Sequence, residues 1–157
     1  MSSPANIKCS PLPFVVALAA MMSLFISPCG GQVVVPVFQK YNVHIVNGLS
    51  QNKTLLVHCK SKDDDLGVHN LAVGLEFRWS FKVNAFSTTL FWCYLGPSND
   101  SHAAFTAFKD KEKITDSCDD DNNCFWIAKD DGVYLRNIPG KIDVKKFTWE
   151  AGRLNIK

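Results

Sequence analysis

The stretch Glu76–Lys82, with the sequence EFRWSFK, decides the fold class. Its aromatic residues Phe77, Trp79 and Phe81 alternate with polar residues, which is the period-2 pattern of a β-strand with one buried face. In a helix Phe77 and Phe81 would share a face and Trp79 would point away from it, whereas a strand places all three on one side. The stretch therefore predicts a strand whose aromatic face lies in a core.

Further short segments with strand patterns flank this stretch on both sides. Thr88–Leu95 is apolar on both faces, which is typical of a central strand. Asp131–Gly132 lies between two apolar runs and predicts a hairpin turn. About eight short strands with turn signals between them, and no amphipathic helix, predict an all-β fold, an antiparallel β-sandwich. The other predicted strands are Tyr41–Val46, Thr54–Ser61, Ala103–Phe108, Cys124–Ala128, Val133–Asn137 and Phe147–Glu150.

The first 31 residues have the composition of a signal peptide. An uncharged apolar run from Leu12 to Ile26 follows a short polar start that carries one lysine. A membrane-spanning helix needs about 20 apolar residues, and this run is shorter. Small residues at Cys29 and Gly31 suit a cleavage site. We therefore expect residues 1–31 to be removed, leaving one secreted domain, 32–157, without a transmembrane anchor; a retained anchor or an N-terminal core helix is the alternative.

The cysteines remaining after this cleavage fit an oxidising compartment. Cys59, Cys93, Cys118 and Cys124 form an even set, which predicts two disulfides. Four cysteines allow three pairings, and sequence alone does not select one. Because longer loop closures constrain the unfolded chain more, we expect Cys59–Cys124 and Cys93–Cys118.

Two N-glycosylation triplets agree with secretion. They begin at Asn52 and at Asn99, and each ends in the hydroxyl residue that the glycosylation signal requires. Because such triplets are modified on exposed loops of secreted chains, we expect both asparagines to lie on surface turns.

The charge of the expected mature chain is nearly balanced but unevenly distributed. Removing Lys8 leaves 16 of the 17 basic side chains against all 15 acidic ones. Residues 109–131 carry eight acidic and four basic side chains, whereas residues 132–157 carry six basic and two acidic ones. A nucleic-acid-binding protein would concentrate a large basic excess on one face, so we expect no nucleic-acid partner.

Residue pairs that could support catalysis are better explained as structure. His58 and Cys59 are adjacent, and adjacent residues of a strand point to opposite faces, so they cannot act as a base and its nucleophile. We expect a disulfide and a solvated histidine instead. No other arrangement suggests catalysis, so we expect no enzyme activity and no cofactor.

Two acidic runs are candidate loops. Asp63, Asp64 and Asp65 lie in a polar segment that we expect to be a loop from Lys62 to Asn70. The second run contains Asp119, Asp120 and Asp121 and partly matches a calcium-binding loop, but Cys124 occupies the position that needs glycine. We expect a solvated acidic turn there, with calcium binding as the alternative.

A set of motifs follows in a fixed order between about residues 41 and 135. They are Val43–Asn47 (VHIVN), Leu55–Gly67 (LLVHCKSKDDDLG), the row Phe77, Trp79 and Phe81, Thr88–Cys93 (TTLFWC), Cys118, Cys124, Trp126 and Asp131–Gly132 with Tyr134. In this order they resemble the plant self-incompatibility S-protein homologue family. The resemblance covers most of the expected mature chain.

The resemblance implies a secreted β-sandwich of about eight strands with two disulfides and no catalytic residues. The best-understood members of that family are stigma proteins that act as ligands for a pollen-surface receptor. We therefore predict a monomeric extracellular ligand that binds a cell-surface protein through its loops, with the two acidic runs as candidate recognition loops. The alternative is a secreted defence-type protein that acts on microbial membranes or wall glycans through its basic C-terminal segment.

Overall fold

The computed structural model describes residues 39–84, 88–98 and 100–152, so the predicted signal peptide and Asn99 lie outside the described residues. The described part folds into ten β-strands and one short 3-10 helix, Thr115–Ser117. The strands are β1 (Lys40–Asn47), β2 (Leu55–Lys60), β3 (Asp65–Leu71), β4 (Glu76–Lys82), β5 (Leu90–Ser98), β6 (Ser101–Lys109), β7 (Asn123–Lys129), β8 (Gly132–Asn137), β9 (Ile142–Phe147) and β10 (Glu150–Ala151).

The strands form two five-stranded sheets. Sheet A has the order β4-β1-β7-β8-β9, and sheet B has the order β10-β6-β5-β2-β3. Neighbouring strands pair antiparallel except for β1 and β7, which are parallel. The predicted all-β sandwich is thus confirmed, with ten strands instead of about eight. The parallel pair has a topological cause, because β1 and β7 are distant in the chain and are not joined by a hairpin.

The two sheets pack face to face through aromatic side chains. The ring of Phe81 on β4 lies 4.6 Å from that of Phe91 on β5 and 4.7 Å from that of Phe108 on β6, measured between ring centroids. Phe105 on β6 contacts Trp126 on β7 at 4.7 Å. Burial of such large apolar side chains is the main stabilising contribution to a sandwich of this size. The aromatic face of β4 therefore points into the core, as its sequence pattern predicts.

The predicted strand positions are confirmed for most of the chain, and β4 has the predicted bounds. The segment Thr88–Leu95 corresponds to β5, which is the central strand of sheet B as predicted. Two strands, β3 and β9, lie in segments that carried no strand prediction. The predicted strand Phe147–Glu150 is wrong, because Phe147 ends β9 and Glu150 begins β10.

The predicted disulfide pairing is wrong. The structure joins Cys59 to Cys93 and Cys118 to Cys124, with Cα–Cα distances of 4.1 and 4.4 Å. Cys59 and Cys93 lie directly opposite each other on the paired strands β2 and β5. Cys124 lies on the other sheet, beside β1, where the turn before β7 brings Cys118 back to it. Local geometry therefore decides the pairing, and loop length does not.

The hairpin between β7 and β8 depends on a glycine. Lys129 pairs with Gly132 across a turn made by Asp130 and Asp131. Gly132 has φ 149°, and a Cβ atom there would collide with the carbonyl oxygen of Phe147 on β9. Such a contact is not possible for a side chain, so this position requires glycine and the predicted hairpin is confirmed.

Candidate recognition surface

The strand order places the connections between strands at two opposite ends of the sandwich. The pairing directions put the connections β2–β3, β4–β5, β6–β7 and β8–β9 at one end, which we call the acidic end. The connections β1–β2, β3–β4, β5–β6 and β7–β8 lie at the other end, which we call the sequon end. Tyr41 and Phe108, 4.8 Å apart between ring centroids, join the two sheets near the acidic end. Both predicted acidic runs therefore lie at one end, and Asn52 lies at the other.

The connection β2–β3 is a tight turn organised by Ser61. The Ser61 hydroxyl accepts hydrogen bonds from the backbone N–H groups of Asp63, at 3.2 Å, and Asp64, at 2.9 Å. The Ser61 N–H donates to the Asp64 carbonyl at 2.8 Å, which closes the turn. Both carboxylates are exposed. The backbone is thus fixed locally while the two charges remain available to solvent.

Asp65, the third residue of this run, has a structural role. It begins β3, and its Oδ1 lies 2.7 Å from His58 Nε2 and accepts a hydrogen bond from the Gly67 N–H at 2.9 Å. The hydrogen bond from Gly67 and then the one from His58 lower the pKa of Asp65 below its ordinary value. His58 is only 4% exposed, so the predictions of a solvated histidine and of a loop beyond Asp64 are both wrong. The histidine lies on β2 between β3 and β5, where Asp65 and Tyr94, the latter 6.4 Å away between ring centroids, are beside its ring.

The second acidic run is a turn closed by Asp119. Its Oδ1 accepts hydrogen bonds from the N–H groups of Asp121, at 3.1 Å, and Asn123, at 2.7 Å. Partial burial opposes ionisation of Asp119, but the hydrogen bonds from Asn123 and Asp121 outweigh it and lower the pKa of its carboxyl. Asp120 and Asp121 are exposed. The run is thus an acidic turn, as predicted, in which Asp119 holds the backbone and its two neighbours face solvent.

A groove of about 570 Å³ lies at the acidic end between the Ser61 turn and the connection β4–β5. Asn84 fixes the second wall, because it accepts a hydrogen bond from the Thr88 N–H at 2.9 Å and donates to the Thr88 hydroxyl at 2.7 Å. Ser61 and Asn84 therefore hold the described residues of the two walls by local hydrogen bonds before any partner binds. The groove is lined by Ser61, Lys62, Asp63, Asp64, Phe81, Lys82, Asn84, Thr88, Thr89, Leu90, Phe91 and Trp92.

The rim of this groove carries charges of both signs. The groove is lined by four charged residues, Lys62, Asp63, Asp64 and Lys82. None of the four forms an ion pair within the described part of the chain. The apolar lining of the groove comes from Phe81, Leu90 and Trp92, whereas Phe91 points to the core and is 5% exposed. An apolar floor with a charged rim is typical of protein-recognition sites, where the floor contributes affinity and the rim contributes specificity.

Sequence reasoning placed Asp63 and Asp64 at this site but missed Lys82, Asn84 and Trp92. The alternation in β5 contains a signal for Trp92, because Phe91 and Cys93 point to the core and the residue between them must point outward. No local signal could have placed Lys82 and Asn84 beside Asp63, because the connection β4–β5 meets the Ser61 turn only through the tertiary fold.

The described residues offer little for metal or thiol chemistry. The structure places four cysteines in disulfides: Cys59, Cys93, Cys118 and Cys124. Among residues 39–84, 88–98 and 100–152, no group of three or more His, Cys, Asp or Glu side chains is placed to hold a metal ion. The same residues contain no helix long and apolar enough to cross a membrane.

Comparison with known proteins gives a consistent result. Residues 42–149 match the family described as plant self-incompatibility protein S1. S-protein homolog 1 of Arabidopsis thaliana is 41% identical over 120 residues, which cover 76% of this chain and 78% of that protein. Self-incompatibility protein S1 of Papaver rhoeas is 29% identical over 114 residues, which cover 73% of this chain and 77% of that protein.

A solved structure shares the fold. It belongs to self-incompatibility protein homologues, described as a widespread family of small, highly stable, secreted proteins from plants. It matches with a TM-score of 0.55 at 18% identity, covering 72% of this chain and 96% of that chain. Secretion, which the sequence predicts for this chain, is the localisation described for that family. The chain belongs to the plant self-incompatibility protein S1 family.

Proposed function

We propose that this protein is a secreted, non-enzymatic recognition ligand that binds a cell-surface protein through its acidic end. The observation that supports this most is the groove between the Ser61 turn and the connection β4–β5, with its apolar lining and a rim whose charges form no ion pair within the described residues. Asp120 and Asp121 add two exposed carboxylates at the same end. A rigid sandwich that presents charged turns at one end is a common scaffold for protein recognition.

The local bonding of the acidic end favours binding by a preformed surface. The Cys118–Cys124 disulfide and the Asp119 hydrogen bonds hold one turn, and Ser61 holds the other. Turns that are already ordered lose little conformational entropy when a partner binds. Opposite charges on rim and partner would increase the association rate, with an effect that weakens as salt screens it.

The active form proposed here is the processed monomer. We propose that residues 1–31 are removed, that the chain from residue 32 carries both disulfides, and that the two sequons are modified during secretion. N-terminal sequencing of the secreted protein should begin near Gln32. Intact mass should rise by four hydrogens on reduction, and a retained N-terminus or free thiols would contradict this proposal.

Binding of the secreted protein to plant plasma-membrane vesicles tests the proposed function. Two double variants remove the exposed charges and keep Asp65 and Asp119, which hold the backbone. The first combines Asp63→Asn with Asp64→Asn, and the second combines Asp120→Asn with Asp121→Asn. We expect binding to weaken by about threefold to tenfold in each, with a smaller effect at high salt. Protease treatment of the vesicles should abolish binding, because the proposed partner is a protein.

Asp100→Asn is the matched control for these variants. Asp100 lies at the sequon end, its carboxylate has no ion pair within the described residues, and the change keeps the Asn-x-Ser triplet. This variant should bind like the unmodified protein. If all three variants bind equally, the acidic end is not the recognition surface; if binding survives protease treatment, the partner is not a protein.

A further inference from the structure

The strand β9 is an open edge of sheet A. Within the residues that the structure describes, β9 pairs with β8 and with no other strand, so one row of its backbone N–H and C=O groups has no strand partner. An open edge of six residues is long enough for another extended chain to pair with it. Such pairing would not require sheet A to rearrange.

The side chains of β9 on the core side of the sheet are exposed. Ile142 is 59% exposed, Val144 37% and Phe147 36%. They lie on the same side as the buried residues of β8, since Val144 pairs with Leu135 and Phe147 with Val133. The apolar face of sheet A thus continues to its last strand, where Phe147 packs against Phe105 of β6 at 5.0 Å between ring centroids. All three side chains remain partly open to solvent. An added strand with apolar side chains on that side would extend the sandwich by one strand.

The other sheet edges are less suited to accept a strand. On β4 the aromatic side chains are already packed, as shown by the contact of Phe77 with His69, whose ring centroids lie 3.8 Å apart. The pairing of β2 with β3 is irregular between His58 and Lys60, and β3 contains Gly67 with φ 80°. The strand β10 has only two residues. The pairing of β9 with β8 is regular from Ile142 to Lys145 and shifts between Val133 and Tyr134, next to Phe147. Among the described strands, β9 therefore combines a regular stretch with exposed apolar side chains.

A groove of about 210 Å³ opens beside β9. Its apolar lining includes Trp126, Leu135 and Ile114 of the connection β6–β7. Alternate side chains of a strand added to β9 would point toward this groove. It could take one apolar side chain, which gives the added strand a preferred register.

The charges around β9 select an acidic occupant. Glu112 lines the groove but is already paired with Lys109, at 2.6 Å between Nζ and Oε1. Lys113 and Lys146 also line it, and Lys141 precedes the strand. None of these three lysines forms an ion pair within the described residues, whereas Asp143, the only acidic residue of β9, already bridges Lys129 and Arg136. The free charge along this edge is therefore positive, and it coincides with the basic C-terminal segment seen in the sequence.

We propose that β9 and this side groove form a strand-addition site for an extended segment of a partner protein in which apolar and acidic residues alternate. The apolar residues face the groove and the exposed side chains of β9, and the acidic residues face the unpaired lysines. This site is distinct from the groove at the acidic end, and it does not depend on the proposed function.

The test uses the secreted, oxidised full chain and a capped synthetic heptapeptide that alternates glutamate with valine. Two further peptides carry N-methyl groups on the valines only or on the glutamates only. Because the N–H groups of alternate residues point to opposite sides of a strand, only one of these two peptides can pair antiparallel with β9 while its valines face the groove. We expect the antiparallel direction, in which β9 already pairs with β8. We expect the parent peptide and one N-methylated peptide to bind, and the other N-methylated peptide to bind at least about tenfold more weakly. When the parent peptide is bound, the backbone amides of β9 should gain protection from hydrogen exchange.

The double variant Lys113→Glu with Lys146→Glu tests the charge of the site. Both side chains are exposed, so the variant should fold, and it should bind the parent peptide about tenfold more weakly. Lys40→Glu on β1 is the control, because Lys40 is exposed and has no ion pair within the described residues, and this variant should bind normally. Absence of binding by the parent peptide, equal binding of the two N-methylated peptides, or unchanged protection of β9 would each overturn the proposal.

Discussion

The indole Nε1 of Trp126 on β7 donates a hydrogen bond of 2.9 Å to the backbone carbonyl of Ala107 on β6, in the opposite sheet. Trp126 is 1% exposed and Ala107 is fully buried, so this carbonyl has no access to water. A buried carbonyl without a partner is costly, and the indole supplies the partner. The bond therefore fixes the position of one sheet relative to the other, which apolar contacts alone do less specifically.

Replacing Trp126 by phenylalanine should destabilise the protein by about 2 to 4 kcal/mol. The change leaves the Ala107 carbonyl unsatisfied and removes ring volume from the core. Urea unfolding followed by fluorescence of the remaining tryptophans measures the effect as a lower midpoint with an unchanged slope.

Trp149→Phe is the matched comparison for this variant. Its Nε1 also donates to a carbonyl, that of Lys129, at 2.9 Å, but Trp149 is only partly buried. Water can replace that hydrogen bond, so the loss should be smaller than for Trp126→Phe. Equal losses in the two variants would show that the bond to Ala107 has no special importance.

How much of the fold the sequence predicts depends on the exposure of each strand. The position of β4 was predictable because Phe77, Trp79 and Phe81 alternate with polar residues and face the core. The strand β9 was not, because as an open edge it leaves both faces partly exposed and carries two lysines. The strand β3 was missed for a related reason, since Asp65 and Gly67 interrupt its apolar pattern.

The candidate site was predictable only in part. Asp63 and Asp64 stand out in the sequence as an acidic run, but Asp65 in the same run holds His58 and belongs to a strand. The difference arises from pairing between β2 and β3, which depends on distant contacts. The disulfide pairing had the same origin, because Cys59 and Cys93 meet through the register of two strands far apart in the chain.

The two disulfides should contribute unequally to stability. Cys59 and Cys93 are 34 residues apart in sequence, whereas Cys118 and Cys124 are six apart. On the chain-entropy estimate, removing the first by double alanine substitution should cost about 4 kcal/mol and removing the second about 2 kcal/mol. Urea unfolding of both double variants measures the difference.

A peptide map of the oxidised protein checks the pairing that underlies this prediction. Digestion without reductant should yield one fragment that contains Cys59 and Cys93 and a second that contains Cys118 and Cys124. A fragment linking Cys59 to Cys124 would show that the pairing is incorrect. A larger loss of stability from the shorter loop would instead show that native-state contacts outweigh the loop entropy.

Acid should weaken the ion-pair network around Asp143. The hydrogen bond from Arg136 and then that from Lys129 lower the pKa of Asp143 below its ordinary value of 3.8. Because the folded state has the lower pKa, the stabilisation is complete above the ordinary value and is lost as pH falls through the lowered one. Asp143→Asn should therefore destabilise the protein at about pH 6 and make little difference at about pH 2.

Urea midpoints at the two pH values measure this effect, and Asp63→Asn is the control. Asp63 is exposed and has no ion pair within the described residues, so its variant should match the unmodified protein at both pH values. A destabilisation by Asp143→Asn that persists unchanged in acid would show that the side chain acts through packing and not through its charge.

The sequon at Asn52 should carry a glycan that does not interfere with recognition. Asn52 lies in an exposed turn with φ 53°, and its side chain has no hydrogen bond within the described residues. The turn is anchored by the buried Asn47, which donates 2.9 and 2.8 Å hydrogen bonds to the carbonyls of Lys53 and Leu71, so a glycan can be added without disturbing the core. Thr54→Ala removes the acceptor signal and should reduce the intact mass by one glycan. Binding to plant membranes should stay unchanged, because Asn52 is at the opposite end from Asp63. An unmodified Asn52 in the secreted protein would refute the modification, and weaker membrane binding by Thr54→Ala at normal stability would place part of the recognition surface at the sequon end.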